Sequence, residues 1–458
     1  MSDHLPQEPS QSDQQRRDES AFSGARLSLF VTAVSVFGLI GCYFWSASSS
    51  SLIAQLAYAF FQVTTVSVVI WQACDPFADA AQYLGEQWRI PGSVRGATLD
   101  AVASSLPELF TGLFFVLLVV LSDQPVEAGD GFGATIATCA GSAVYNMILI
   151  PAFCGIAIAF TRKRRPFIQV DKQVIFRDGL WFLVCELVLV AFLFRSSMGW
   201  PAVFTLLSLY VVYLVWLALD ARKHRRLRDL VVQKLSPDES LSELSDETIA
   251  TTFKDAGIHA NDSLIDNVRR ELVADDDADE QQAGFFFGLF SLPLTITSAC
   301  MIIAVSTLVT ASACYWLVNI TENLAVTLNV PVFFVAVIVA AAASSVPDTF
   351  LSIGSAKRGD DDGAVSNAFG SNIFDICICL SVPLIAALML NSGQPISLAV
   401  DGKPMPGLFG LQILMVCLTA ITLAVLLHRM QLTLAKSIFL VFLYLFFIGY
   451  AVVGSLQY

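Results

Sequence analysis

This chain repeatedly runs apolar for about 18 residues or more, and that property decides what it can fold into. A hydrocarbon layer about 30 Å thick is crossed by about 20 apolar residues in helical form. Inside that layer every backbone N–H and C=O must be satisfied within the protein, which favours helices. Of the 458 residues, 55% are hydrophobic and only 14% charged, and the mean hydropathy is +0.67. The expected class is an all-α polytopic membrane protein. The formal net charge of −13 says little about partners, because much of the acid lies in one polar segment that includes DDDADE at 275–280. Nucleic-acid binding has no support.

Residues 1–26 form a polar tail, expected to be disordered. A first span at 27–46 reads as an uncleaved anchor, because it is full length and follows a long polar stretch; a cleaved signal is the alternative. Further spans are expected at about 52–74, 94–121, 132–160, 175–195 and 199–220. A second set is expected at about 297–320, 330–355, 363–390, 406–428 and 435–455. The domain reading is one N-terminal span, a five-span repeat over 52–220, a polar loop over 221–284 and a second five-span repeat over 285–458. The loop is read as a solvated, partly helical linker. Its acidic run lacks the glycine turn and distal glutamate of an EF-hand.

Basic residues fall mainly on one side of these spans: Arg89, Arg95, RKRR at 162–165, RKHRRLR at 222–228, Lys357, Arg358, Arg429 and Lys436. The other side has little besides Arg195 and Lys403. The positive-inside rule then puts the N-terminal tail and the 221–284 loop in the cytoplasm and the C-terminus outside. All ten cysteines fall in or beside apolar segments and read as packing residues. The four histidines are expected outside the membrane and outline no metal site.

A duplication runs through the apolar core. VASSLPELF at 102–110 matches AASSVPDTF at 342–350, and GSAVYN at 141–146 matches GSNIFD at 370–375. Five spans per copy is an odd number, so the second copy enters the membrane inverted, as in secondary transporters. Pro107 and Pro347 lack an N–H, which is expected to free the carbonyls of Ala103 and Ala343. Ser104, Ser105 and Glu108 then offer oxygen in one copy, and Ser344, Ser345 and Asp348 in the other. Ser142 with Asn146, and Ser371 with Asp375, are spaced to share one helix face. Hydroxyls, carbonyls and carboxylates are hard ligands that suit Na⁺ and Ca²⁺. Three buried carboxylates together call for a cation: Ca²⁺ or, in turn, several Na⁺ or protons. Asp100 lies near the same helix stripe and is a candidate for the inner ion path, with a solvated helix-start carboxylate as the alternative. Thr111, Thr135 and Thr138 read as packing.

These motifs resemble those of the cation/calcium exchanger superfamily, which includes the sodium/calcium exchangers, over about residues 52–455. The resemblance implies a ten-helix core and exchange of Ca²⁺ for Na⁺ by movement of the two leading helices. It places the central acidic pair on Glu108 and Asp348 and hydroxyl ligands on Ser104, Ser105, Ser344, Ser345, Ser142 and Ser371. It also implies sodium ligation by the carbonyls of Ala101 and Ala341, and pairing of Asn146 with Asp375. Aspartate at 375 resembles potassium-dependent members, whereas SVPDTF resembles potassium-independent ones, so K⁺ coupling stays open. Ala103 and Ala343 depart from the family's glycine, and Asp348 is shorter than the usual glutamate.

The expected function is a Ca²⁺/Na⁺ antiporter, not an enzyme, with no cofactor and with ions and the lipid bilayer as its partners. Exchange of Ca²⁺ or another divalent cation for protons is the alternative. An intramembrane aspartyl protease using Asp348 and Asp375 would lack its Gly-x-Gly-Asp element and would leave Glu108 unexplained. A membrane scaffold would have no use for paired ion ligands.

Overall fold

A computed structural model describes residues 11–49, 51–88, 98–99, 101–121, 128–163, 165–170, 172, 175–195, 197–234, 246–255, 265, 282–359, 361–400, 403–404 and 408–455. Asp100, Arg89, Arg95 and the acidic run at 275–280 lie outside the described residues. Helix α1 covers Gln11–Ser48 and α2 Leu52–Gln87, followed by α3 (Ala101–Leu121) and α4 (Ala128–Thr161). Strand β1 (Ile168–Gln169) leads to a π-helical turn, Ile175–Gly179, and α5 (Leu180–Leu193). Strand β2 (Ser197–Met198), α6 (Trp200–Lys234) and the short α7 (Asp246–Asp255) complete the first half. The second half opens with a hairpin, β3 (Gln282–Phe285) and β4 (Phe290–Pro293), before α8 (Ile296–Leu328). Helix α9 covers Val332–Ser344 and α10 Val346–Arg358. Then come α11 (Asp361–Phe374), α12 (Ser381–Leu390), β5 (Ile396–Ser397), α13 (Leu408–Leu427), β6 (Gln431–Leu432) and α14 (Leu434–Ser455).

Among the described residues nine helices are long and apolar enough to cross a membrane, and the bent pair α9–α10 makes a tenth. The span expected at 175–195 is divided: its α-helical part, α5, has 14 residues and follows the π turn that holds Arg177 and Asp178. The polar residues 11–26, expected as a disordered tail, continue the helix of the first span from Gln11. Glutamine, arginine, glutamate and alanine propagate a helix readily once an apolar span has nucleated it.

The motif helices are the centre of the bundle. In the apolar window of α4, 72% of residues are buried, against 28% for α2 and 6% for α1. Two short antiparallel pairs tie the outer connections together. Strand β1, between the third and fourth spans of the first repeat, pairs with β6, between the fourth and fifth spans of the second. Strand β2 pairs with β5 in the reciprocal places. The two clasps are therefore copies of each other, as inversion of one repeat against the other requires. A bidentate ion pair adds to one clasp: Arg162 holds both carboxylate oxygens of Asp361 at 2.9 and 3.1 Å and the Ala356 carbonyl at 2.7 Å. The N–H of Gln169 donates to Asp361 as well.

Helices α2 and α8 stand outside this clasped set and pack on each other through Val66, Ile70, Cys74, Ala313, Cys314 and Leu317. Ala343, in place of the family's glycine, joins that contact, and Ala103 meets Phe77 and Ala81 of α2. The two alanines thus mark where the motif helices touch the leading helices.

Candidate ion-binding site

Each hydroxyl pair follows a widened helical turn. Thr98 and Leu99 are π-helical just before α3, and Ala336–Ala340 form a π turn inside α9. Such turns loosen the helical ladder and recur at functional sites. The hydroxyl of Ser104 donates to the Ala101 carbonyl (3.4 Å), and that of Ser344 to the Ala341 carbonyl (3.1 Å). The two carbonyls that the family resemblance singles out therefore sit in matching local geometry.

The prolines act differently in the two copies. In the second, Ser345 leaves the helix (φ −84°, ψ 4°), α9 and α10 meet at a 42° bend, and Pro347 lies in the first turn of α10. A proline there costs no intrahelical hydrogen bond. In the first copy α3 continues as a helix through Pro107, contrary to the expected interruption. Neighbouring thiols reach its backbone: Cys379 donates to the Ser105 carbonyl (3.5 Å) and Cys314 to the Pro107 carbonyl (3.4 Å). These are carbonyls other than that of Ala103, whose N–H partner Pro107 removes.

Close approach of the two copies depends on Gly141. A Cβ at this position would lie 2.1 Å from the Val337 carbonyl oxygen and 2.7 Å from the Ala341 Cβ. Only glycine lets α4 touch the π turn of α9. The next residue, Ser142, sits at the junction. Its Oγ lies 3.1 Å from Glu108 Oε1, 3.1 Å from Asp375 Oδ2 and 2.9 Å from Ser345 Oγ. Ser345 also donates to Glu108 Oε1 at 3.2 Å. Asn146 Nδ2 faces Asp348 Oδ2 at 3.3 Å and the hydroxyls of Ser371 and Ser142 at 3.4 Å each. The hydroxyl of Ser344 neighbours Glu108, and that of Ser104 neighbours Asp348, each across the repeat boundary. Ser105 stands beside Asp375 without closing a hydrogen bond.

Glu108, Asp348, Asp375 and Asn146 are all 0% exposed. Among the hydrogen bonds above, those reaching the six carboxylate oxygens come from Ser142, Ser345 and Asn146. Glu108 Oε2, Asp348 Oδ1, Asp375 Oδ1, Asn146 Oδ1 and Ser105 Oγ are buried without a hydrogen-bond partner. An ionised carboxylate is acceptor-only, and its burial costs several kcal/mol unless a cation or strong donors compensate. The arrangement is rich in oxygen and poor in hydrogen, which is the chemistry of a hard-cation site. Among the described residues no three acidic, cysteine or histidine side chains are close enough to hold a metal by themselves. A cation held in this pocket would take hydroxyl, amide or carbonyl oxygens beside the carboxylates.

All twelve expected site residues outside position 100 lie on α3, α4, α9, α10, α11 and the two residues that end α9 and α11, Ser345 and Asp375. Sequence reasoning missed Asn372, whose Nδ2 donates to the Ala143 carbonyl (3.1 Å) while its buried Oδ1 has no partner. The repeat itself could have flagged it, since Asn372 follows Ser371 inside the motif. Thr135 and Thr138 bond backbone carbonyls, as packing threonines do.

The family model described as "Sodium/calcium exchanger protein" matches residues 27–219 and 298–453. The chain belongs to the sodium/calcium exchanger family. It is 24% identical over 387 residues to human sodium/potassium/calcium exchanger 5, covering 74% of this chain and 71% of that protein. Human sodium/potassium/calcium exchanger 3 is 24% identical over 200 residues, which are 42% of this chain and 28% of that relative. The fold is that of solved exchangers. The H⁺/Ca²⁺ exchanger CAX superposes with a TM-score of 0.52 at 12% identity, over 95% of this chain and 94% of that one. Native YfkE superposes with a TM-score of 0.53 at 13% identity, over 94% and 99%.

Proposed function

We propose that this family member is a secondary antiporter that exchanges Ca²⁺ for Na⁺ by alternating access, with the ions as cargo and no resident cofactor. The observation that carries the reading is the convergence of Glu108, Asp348 and Asp375, fully buried, with one oxygen of each lacking a donor. Ca²⁺ would be held by carboxylate oxygens of these residues with the hydroxyls of Ser105 and Ser345. Na⁺ would use Ser104, Ser344, Ser142, Ser371, the Asn146 amide oxygen and the carbonyls of Ala101 and Ala341. Either load offsets the same buried negative charge, so one excludes the other, and that exclusion is what exchange requires.

The names of the relatives, together with aspartate at 375, support K⁺ as a further coupled ion. The distribution of basic residues supports a cytoplasmic N-terminal tail and 221–284 loop and an external C-terminus, and we place the chain in a cell membrane. Asp100 would face the inner ion path.

The test uses the full chain in Na⁺-loaded vesicles diluted into choline, with ⁴⁵Ca²⁺ uptake read with and without K⁺. Uptake should need the Na⁺ gradient, and Asp375→Asn should remove any K⁺ stimulation. Uptake that ignores Na⁺ and follows a pH gradient would replace this reading with Ca²⁺/H⁺ exchange.

A further inference from the structure

Helix α2 holds polar and aromatic side chains that take no part in the ion site: Trp71, Gln72 and Asp79. Gln72 Oε1 accepts the N–H of Phe287 at 2.9 Å, and Asp79 Oδ2 accepts the N–H of Gly284 at 3.0 Å. Both donors belong to the β3–β4 hairpin. The hairpin turns through three consecutive left-handed residues, Phe286 (φ 50°), Phe287 (φ 61°) and Gly288 (φ 79°). Phenylalanine disfavours that conformation, so the turn persists only because contacts around it select it.

Those contacts are aromatic. The Phe287 ring packs edge-on against Trp71, centroids 4.9 Å apart. Trp71 in turn lies flat on Phe350, centroids 3.7 Å apart and planes within 4°. Phe350 follows Asp348 by two residues on α10, which turns it to the other side of that helix. Asp348 is 0% exposed and Phe350 43% exposed. A continuous line of contacts therefore runs from the hairpin through α2 to the outer face of the helix that holds Asp348.

We propose that Trp71 and Phe350 are gating residues: a latch, set by the hairpin, that holds α2 against α10 in this conformation and parts once in each transport cycle. The inference rests on the antiporter reading, because alternating access needs α2 and α8 to shift against the clasped motif helices. The stack is the flat aromatic contact between α2 and α10, and it has to separate before α2 can slide along α10.

The test is cross-linking of the full chain in liposomes. In a Trp71→Cys/Phe350→Cys double variant, a short bis-methanethiosulfonate should lower Na⁺-driven ⁴⁵Ca²⁺ uptake at least tenfold, and reductant should restore it. The single variants, treated alike, control for the ten native cysteines, and the reagent should leave each at its own untreated rate. Ca²⁺ should still raise the melting temperature of the cross-linked protein, because binding is intact and only movement is stopped. Cross-linked protein that transports at the rate of the single variants overturns the latch, and so does failure of the pair to cross-link. Phe287→Ala, which keeps both stacked rings, should raise the maximal uptake rate at least twofold without changing the Ca²⁺ concentration for half-maximal uptake. An unchanged rate removes the hairpin from the device. Absence of uptake by the unaltered chain is a different failure, and it strikes the antiporter reading instead.

Discussion

At the scale of single residues, the site is organised around Ser142. Its hydroxyl has one hydrogen and lies within hydrogen-bond distance of two carboxylates, Glu108 and Asp375, and of the hydroxyl of Ser345. It cannot donate to both carboxylates at once. Ser142→Ala should weaken apparent Ca²⁺ affinity about tenfold, equivalent to the ~1.4 kcal/mol expected for losing one hydrogen bond to a charged group. The concentration dependence of ⁴⁵Ca²⁺ uptake checks this, and an unchanged half-maximal concentration would contradict it. Asn146 plays the matching part for Asp348. Its Nδ2 has two hydrogens for three neighbouring acceptors, and its Oδ1 is buried without a hydrogen-bond partner. The asymmetry between Asn146 and Asp375, at equivalent motif positions, gives the site three carboxylates instead of four or two.

At the scale of elements, close helix contact and helix interruption position those residues. Gly141→Ala would drive a methyl into the Val337 carbonyl. Overpacking of this kind costs about 1–3 kcal/mol, so the variant should melt several degrees lower in detergent. An unaltered melting temperature would show that α4 and α9 are not in contact there. Arg162→Met should also lower the melting temperature, because it leaves Asp361 without its bidentate partner and takes one of two donors from the Ala356 carbonyl, which keeps the Gly359 N–H. Much of this level was legible in the sequence. The spans follow from apolar run length, and the site residues follow from oxygen-bearing side chains repeated in order within apolar surroundings. Other features were not. Pro107 and Pro347 are the same residue in the same motif, yet only the second stands at a break, a difference that the shared motif does not announce. The division of 175–195 depends on Arg177 and Asp178 pairing at 2.7 Å, with Asp178 also accepting from Tyr213 and Ser366. Local sequence does not announce partners 35 and 188 residues away.

At the scale of the whole molecule, inversion accounts for the layout. The two β clasps are reciprocal, the two hydroxyl pairs follow widened turns, and the leading helices α2 and α8 pack on each other outside the clasped set. On the antiporter reading, α2 and α8 would be the elements that move against the clasped remainder. The β pairings could not be read from the sequence, since two-residue strands have no periodicity of their own. The hairpin before α8 was equally hidden, because its register depends on Gln72 and Asp79 more than 200 residues earlier.

The most direct test of the central claim, that buried carboxylates from both repeats form one site for Ca²⁺ and Na⁺, is Na⁺-gradient-driven ⁴⁵Ca²⁺ uptake by vesicles containing Glu108→Gln or Asp348→Asn. Either change should abolish uptake while the protein still folds and inserts. Uptake at the unaltered rate by both variants would contradict the claim.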